Sequence, residues 1–334
     1  MKRRSLLVAT AISTLAVALA SVPAAAQTKW DMPTGYPIGN PHTVTLSLFA
    51  KDVDTATQGK LKITVHPNGS LFKANEIMRA VETGQAQLGE ILMSLLANQN
   101  PVFSLDSLPF VATGFDDSYR LWQAQRPVLE RVLAKRGVKL LYAVAWPPQG
   151  IYTKRELKSA ADMKGLKWRA YNPATTKIAQ AVGAQPLTIQ AAELSQALAT
   201  GVVDSFMSSG ATGVDSKVWE SLTHFYTVDA WLPKNMLVVN QKDFDKLDKP
   251  TQDTLLRLAA EAEKRGWERM RAYTNESLDI LRKNRMSVVA PSPQLMSDMR
   301  KIGDEMLAEW LKQAGAEGQE IIDAYRKSAP PAKK

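Results

Sequence analysis

The stretch DMKGLKWRA, residues 162–170, together with TGVVD at residues 200–204, decides how this chain folds. Gly165 supplies a tight turn, and apolar residues then alternate with charged ones. This pattern predicts a short strand that places Arg169 on the face opposite Trp168. An arginine at the end of a strand in an α/β sheet can clamp a carboxylate, because its planar guanidinium donates two parallel hydrogen bonds. The alternative that the residues leave open is a solvated charge at a strand end.

The rest of the chain alternates strand and helix signals, which predicts an α/β fold. About 300 residues follow the first 26, which is more than one typical domain and favours two lobes. The predicted boundaries are lobe I at 27–148 plus about 239–278, lobe II at 149–238 plus about 279–328, and a disordered tail at 329–334.

A long helix is predicted from Pro250 to about Lys283, where a broken apolar stripe is surrounded by charges. At 1.5 Å per residue it would extend roughly 50 Å, enough to bridge both lobes. The alternative is two shorter helices that break near Gly266. The first crossing between the lobes is predicted at WPPQG, residues 146–150.

Residues 1–26 are typical of a cleaved secretory signal peptide. Lys2, Arg3 and Arg4 form the basic start, residues 6–20 are almost entirely apolar, and three alanines end the segment. The apolar run is short for a membrane-spanning helix. The expected location is therefore the periplasm of a Gram-negative bacterium, with a mature protein that is soluble after cleavage.

Composition excludes several kinds of chemistry. The sequence has no cysteine, so disulfides, thiol catalysis and cysteine-bound metals are excluded, and its three histidines are scattered without ligand spacing. The net charge is +9, but basic and acidic residues are interspersed, which argues against a nucleic-acid partner. No serine-hydrolase, zinc-protease or nucleotide-binding motif is present. The chain is therefore expected to be a binding protein without a cofactor rather than an enzyme; a metal ion that accompanies the ligand stays open.

These residues resemble the solute-binding proteins of tripartite ATP-independent periplasmic (TRAP) transporters, of the dicarboxylate-binding DctP type. Residues 162–169, DMKGLKWR, are similar to the family's DLKGLKIR. Residues 193–204, ELSQALATGVVD, are similar to its E-x-x-x-A-L-x-x-G-x-V-D. The resemblance implies a two-lobe periplasmic binding protein of the Venus-flytrap, type II-like class, with the ligand carboxylate paired to Arg169. It also implies that the loaded protein docks on TRAP membrane subunits, which use an ion gradient.

The predicted ligand is a small organic acid: a monocarboxylate, keto acid, aromatic acid or dicarboxylate. Tyr152 and Ser208 depart from the family pattern and argue against a sugar acid or a short dicarboxylate. Glu90 lies inside an apolar strand and either lines the cleft or forms an internal salt bridge with a lysine or arginine. The residues predicted to bind substrate are Arg169, Tyr152, Gln149, Glu90, Trp146, Ser208, Phe206 and Trp231. For each aromatic residue, packing in the core is the alternative.

Three functions fit these observations. The first is delivery of an organic acid to a TRAP transporter by a monomeric binding protein. The second is the same clamp presenting its acid to a periplasmic sensor. The third is a periplasmic enzyme that acts on carboxylates.

Overall fold

The computed structural model describes residues 27–329. The predicted signal peptide and residues 330–334 of the predicted tail lie outside the described residues. The strands are β1 (Thr28–Pro33), β2 (Leu61–His66), β3 (Leu88–Leu92), β4 (Val138–Ala145), β5 (Gln149–Thr153), β6 (Lys167–Ala170), β7 (Gln185–Thr188), β8 (Ser205–Ser209), β9 (His224–Tyr226), β10 (Lys234–Asn240) and β11 (Ser287–Val289).

The helices are α1 (Pro41–Ala56), α2 (Ile77–Glu82), α3 (Phe115–Ala134), α4 (Pro173–Ala181), α5 (Leu194–Ala199), α6 (Gly210–Asp215), α7 (Gln241–Asp245), α8 (Lys249–Lys283) and α9 (Pro293–Lys327). Short 3-10 helices lie at Met93–Leu96, Pro101–Ser107, Ala160–Met163, Ala191–Glu193 and Val218–Glu220. None of the described helices combines the length and the hydrophobicity that crossing a membrane requires.

The strands form two lobes. Lobe I contains the parallel pair β1–β2 and a sheet with strand order β3-β10-β4. Lobe II contains one six-stranded mixed sheet with order β11-β9-β5-β8-β6-β7. The α/β two-lobe prediction is confirmed.

Two of the crossings between the lobes lie at adjacent segments. One joins β4 to β5 and the other joins β9 to β10. The backbone N–H of Trp146 donates to Pro233 at 2.8 Å, and the N–H of Gln149 donates to Trp231 at 3.0 Å. These bonds hold the two crossings side by side, so they form one hinge. The predicted crossing at residues 146–150 includes the first of these segments, and its last two residues, Gln149 and Gly150, belong to β5.

Helix α8 packs on both lobes. Asp248 begins it, because its side chain accepts from the N–H of Thr251 at 2.7 Å. In lobe I, the indole N–H of Trp267 donates to the carbonyl of Ala143 in β4 at 2.8 Å. In lobe II, the buried Ser277 lies against Gly210, where an added Cβ would come within 2.4 Å of the serine hydroxyl. The prediction of a bridging helix is confirmed.

The alternative of a break at Gly266 is wrong, because α8 runs through it without interruption. A Cβ at Gly266 would lie 2.5 Å from the side chain of Val144. The glycine therefore allows the helix to lie close on β4, and does not end it.

Helix α9, which consists of two helical segments joined by a kink at Gly315, crosses between the lobes, which differs from the predicted boundary. Near its start, Asp298 of α9 accepts a hydrogen bond from the N–H of Ala160 in lobe II at 2.9 Å. Farther along, the indole N–H of Trp310 donates to Pro101 of lobe I at 2.7 Å, and the hydroxyl of Tyr325 donates to Val111 at 3.0 Å. The structure therefore places the end of α9 on lobe I rather than lobe II. Residues 234–238 also belong to lobe I rather than to the predicted lobe II, because β10 pairs with β3 and β4.

Candidate ligand-binding cleft

A cleft lies between the lobes beside the hinge and contains about 510 Å³ of space that no protein atom fills. This space includes the part of the cleft that is open to solvent. Both lobes contribute to its wall. The lining residues are Gly35, Tyr36, Ala74, Leu92, Leu95, Trp146, Gln149, Arg169, Tyr171, Gln190, Ala191, Ser208, Thr212 and Pro233.

Arg169 lies near the end of β6 and lines the cleft, although it is only 3% exposed. Its Nε donates to the carbonyl of Ile189 at 2.9 Å, and its guanidinium lies 4.9 Å from the ring centroid of Tyr171. Burial lowers the pKa of Arg169 to about 10, which still leaves it charged at neutral pH. The alternative of a solvated strand-end charge is wrong.

The guanidinium has no acidic partner within residues 27–329, since no carboxylate oxygen there lies within 4.0 Å of it. Its Nη groups also have no protein acceptor in that part of the chain. A buried cation without a counter-charge is costly, and a bound anion removes that cost. The arrangement is suited to capture a carboxylate.

Gln149 and Tyr171 form a fixed polar pair on the lobe II side. The hydroxyl of Tyr171 donates to Oε1 of Gln149 at 3.1 Å, and Nε2 of Gln149 donates to the carbonyl of Pro147 at 3.0 Å. Burial raises the pKa of Tyr171 well above its ordinary value, so the phenol stays neutral. The remaining N–H of the Gln149 amide is available to a ligand acceptor.

Ser208 and Thr212 form a second hydrogen-bonded pair in the cleft wall. The hydroxyl of Ser208 donates to Oγ1 of Thr212 at 2.8 Å, which leaves the hydroxyl hydrogen of Thr212 available. Both residues line the cleft. On the lobe I side, the indole N–H of Trp146 donates to Oδ1 of Asn235 at 2.8 Å, and the ring of Tyr36 lies 4.8 Å from the Trp146 ring. These contacts fix an aromatic wall opposite Arg169.

Glu90 is buried in lobe I and is not among the cleft-lining residues. Thr34 donates its hydroxyl to Glu90 at 2.5 Å, and Nδ1 of His42 lies 3.5 Å from the other carboxylate oxygen. The alternative of a lysine or arginine partner is wrong, because these two residues take that place. Burial raises the pKa of Glu90 to about 7 and lowers the pKa of His42 to about 3, so the histidine is neutral.

Three predicted residues lie in the packed interior and do not line the cleft. Tyr152 stacks on Phe206 at 4.6 Å between ring centroids and donates its hydroxyl to Ser209 at 2.9 Å. Phe206 pairs with Arg169 in register, and its ring centroid lies 6.0 Å from the guanidinium. Trp231 is 1% exposed at the hinge. For these three, core packing is what the structure shows.

Sequence reasoning missed several lining residues, including Tyr36, Tyr171 and Thr212. Tyr171 had a usable signal, because it comes two residues after Arg169 and alternation places the two on the same side. Tyr36 and Thr212 lie outside any strand, so no periodic pattern points to them.

Charge is sparse in the cleft. Arg169 is the one charged side chain among the lining residues, and the described chain forms no cluster of histidine, aspartate and glutamate that could hold a metal ion. The cleft can therefore neutralise one negative charge and offers neutral hydrogen-bonding groups around it.

A family described as bacterial extracellular solute-binding protein, family 7, matches residues 35–313. This chain belongs to the DctP-type solute receptors of TRAP transporters. DctP6, a Bordetella pertussis extracytoplasmic solute receptor that binds pyroglutamic acid, is 56% identical, with a TM-score of 0.89 over 90% of this chain and 100% of that one. A pyroglutamate-specific TRAP protein from a marine metagenome is 44% identical, with a TM-score of 0.89 over 90% and 99% of the two chains.

A curated relative is more distant. The solute-binding protein of Albidiferax ferrireducens is 26% identical over 65% of this chain and 65% of its own length. The family consists of extracytoplasmic receptors that bind organic acids, and the recognition made from residues 162–204 is confirmed.

Proposed function

We propose that this protein captures a small monocarboxylate whose remaining atoms carry no charge, with pyroglutamate as the first candidate. The observation that carries the proposal is that Arg169 is the single charged side chain lining the described cleft. One buried cation matches one carboxylate. A second carboxylate or an ammonium group would enter the cleft without a counter-charge, which costs several kcal/mol.

The neutral groups of the cleft suit a lactam. The spare N–H of Gln149 and the hydroxyl of Thr212 can donate to a carbonyl, and the aromatic wall of Tyr36 and Trp146 can cover a small ring. Two solved relatives, at 56% and 44% identity, bind pyroglutamate. Pyroglutamate has one carboxylate and a five-membered lactam ring, which is the combination that this lining favours.

The residues divide into two groups. Arg169, Gln149, Trp146 and Ser208 line the cleft and contact the ligand, with Arg169 as the carboxylate clamp. The other four predicted residues act indirectly. Phe206 packs near the guanidinium with Tyr152 stacked on it, and Trp231 supports the hinge. Glu90 supports the aromatic wall through His42, whose ring lies 4.3 Å from the ring of Trp146.

The ligand also links binding to lobe closure. Arg169 belongs to lobe II, whereas Tyr36 belongs to lobe I, so a molecule held between them favours the state in which the lobes meet. The loaded protein then delivers the acid to TRAP membrane subunits in the periplasm. Reconstituted membrane subunits should take up labelled acid only when this protein is added.

A matched ligand series tests the cleft assignment. Melting temperature and calorimetric affinity are measured with pyroglutamate, proline, glutamate, pyruvate, succinate and 2-pyrrolidinone. Proline has the ring and the carboxylate but adds an ammonium group, and 2-pyrrolidinone has the lactam without the carboxylate. Pyroglutamate at one hundred times its dissociation constant should add about 2.7 kcal/mol of stability.

Proline and 2-pyrrolidinone should each bind at least about a hundredfold more weakly, because each lacks one matched group or adds one unmatched charge. Stabilisation by succinate or glutamate equal to that by pyroglutamate would contradict the single-charge argument. Conversion of any acid to a product would show an enzyme instead of a receptor.

A further inference from the structure

Asn40 makes two different contacts at the mouth of the cleft. It precedes α1 of lobe I, and its Oδ1 accepts from the N–H of His42 at 2.8 Å, which caps the helix. Its Nδ2 donates to Oδ2 of Asp215, at the end of α6 in lobe II, at 2.6 Å. One side chain therefore caps a helix in its own lobe and bonds to the opposite lobe.

Asn172 repeats this arrangement from the other side. It precedes α4 of lobe II, and its Oδ1 accepts from the N–H of Thr175 at 2.8 Å. Its Nδ2 donates to the hydroxyl of Ser94, in lobe I, at 2.9 Å. Both ends of this second contact are buried, with 5% exposure at Asn172 and 1% at Ser94.

The two contacts lie beside different groups of cleft-lining residues. Asp215 lines a space at the cleft mouth together with Tyr36 and Thr212, both of which also line the inner cleft. Ser94 and Asn172 are the chain neighbours of Leu95 and Tyr171, which line the inner cleft elsewhere. Both inter-lobe hydrogen bonds therefore lie next to residues that line the cleft, and neither asparagine is itself a lining residue.

We propose that Asn40 and Asn172 are reciprocal latches, positioning residues that hold the two lobes closed over the ligand without touching it. The proposal rests on the proposed function, because it assumes that the cleft between the lobes is the binding site. Each latch bond joins two lobes, so it exists only when the lobes meet, and its free energy favours the closed state alone. The ligand selects that state, so each latch raises the apparent affinity.

The capping role explains why asparagine suits this task. The cap uses Oδ1, and this fixes which end of the amide faces the opposite lobe. The cap bond lies within one lobe and persists whether the lobes are open or closed. The side chain is therefore already oriented when the lobes approach, so little rotamer entropy is lost on closing.

Serine substitutions separate the two roles. Asn40→Ser and Asn172→Ser keep an oxygen that caps the helix but remove the amide N–H that crosses to the other lobe. Each is expected to weaken pyroglutamate binding about threefold to tenfold, mainly through faster dissociation. The matched control is Asn240→Ser. Asn240 caps α7 and donates Nδ2 to the carbonyl of Val81 at 2.7 Å, with both ends in lobe I.

The control should lower the melting temperature equally with and without ligand and leave the dissociation constant unchanged. The latch variants should lower the melting temperature mainly in the presence of ligand. A latch variant whose dissociation constant equals that of Asn240→Ser would overturn the proposal.

An exchange of partners tests the Asn40 latch more sharply. Asn40→Asp keeps the cap but faces the Asp215 carboxylate with a second one, and should weaken binding more than about tenfold. The double variant Asn40→Asp/Asp215→Asn moves the donor to the other lobe and should recover the affinity to within about threefold. No recovery in the double variant would show that the contact between these two side chains does not hold the lobes together.

A ligand-independent readout separates failure of the latches from failure of the proposed function. The chain has no cysteine, so a spin-label pair at Lys51→Cys in α1 and Gln196→Cys in α5 reports the distance between exposed sites on the two lobes. Without ligand, the latch variants should populate the short distance less than the unmutated protein and Asn240→Ser do. If none of the acids in the ligand series binds the unmutated protein, the proposed function is wrong, and these distances still test the latches. Equal distance distributions in all variants would overturn the latch proposal.

Discussion

Replacing Arg169 by methionine should make the ligand-free protein more stable while removing its function. The side chain is almost fully buried, and within the described residues its guanidinium has no acidic partner. Methionine fills a similar length of apolar space without the charge. The substitution therefore separates what the cleft needs for folding from what it needs for binding.

The magnitude follows from the environment of Arg169. Its pKa falls from 12.5 to about 10 because of burial, and at 1.36 kcal/mol per unit this corresponds to about 3 kcal/mol against the buried charge. The bond from Nε to Ile189 offsets about 2 kcal/mol of this cost. Arg169→Met should therefore gain about 1 kcal/mol, which raises the melting temperature by about 2 °C for a protein of this size. Since the arginine is charged at any pH below about 10, the gain should be constant between about pH 6 and 9.

Binding should change in the opposite direction. Truncating one partner of a buried, hydrogen-bonded charge pair costs about 2–5 kcal/mol, so pyroglutamate affinity should fall about a thousandfold. Arg169→Lys serves as the comparison: it keeps the charge but cannot donate in the fork geometry, so it should recover little of the affinity.

Differential scanning calorimetry without ligand and titration calorimetry with it measure both effects. A ligand-free Arg169→Met protein that melts several degrees below the unmutated protein would refute the account of an uncompensated buried charge. Affinity within threefold of the unmutated protein in either variant would refute the clamp.

Three further predictions concern stability. Burial raises the pKa of Glu90 from 4.5 to about 7, so the contribution of Glu90 to the free energy of unfolding should decline as the pH rises from about 4.5 to 7. Glu90→Gln should remove that decline and raise the free energy of unfolding by up to about 3 kcal/mol at pH 8. Urea unfolding at several pH values measures both effects. Gly150→Ala should lower the free energy of unfolding by about 3 kcal/mol, because a Cβ would lie 2.3 Å from a carbonyl oxygen of the neighbouring strand. Gly39→Ala, where a Cβ would have no atom within 4 Å, should be nearly neutral in the same assay. Asp106→Asn should lower the free energy of unfolding by about 3–5 kcal/mol, because it leaves the ammonium of Lys234 buried alone. Lys234→Met should lower it less, because burial already raises the pKa of Asp106 to about 6. Equal losses of stability in the two variants would contradict this.

Local signals predicted the long helix α8 and the face of its strand on which Arg169 lies. The alternation around Trp168 places Arg169 on the opposite face, as the structure shows. The packing of α8 outweighs the low helix propensity of Gly266, since close contact with β4 favours a glycine there. These features depend on residues near each other in sequence, so the sequence can report them.

The aromatic residues show where this reasoning ends. Strand alternation predicts which face of the sheet Phe206 and Tyr152 occupy. However, that face lines the cleft at one end and packs in the core along the rest. The distinction depends on which helix covers each position: the hydroxyl of Tyr152 lies beside Gly213 of α6, which closes that end of the sheet. No pattern within either strand contains that information.

The sequence by itself determined the class of the protein, the α/β character, the long bridging helix and the arginine that faces the cleft, because periodicity, capping and turns act over a few residues. Only the tertiary structure decided which side chains line the cleft, where α9 returns to lobe I, and how Asn40 and Asn172 reach the opposite lobe. The physical reason is range: the two inter-lobe bonds join residues more than 70 positions apart, and they exist only once both lobes have folded and met.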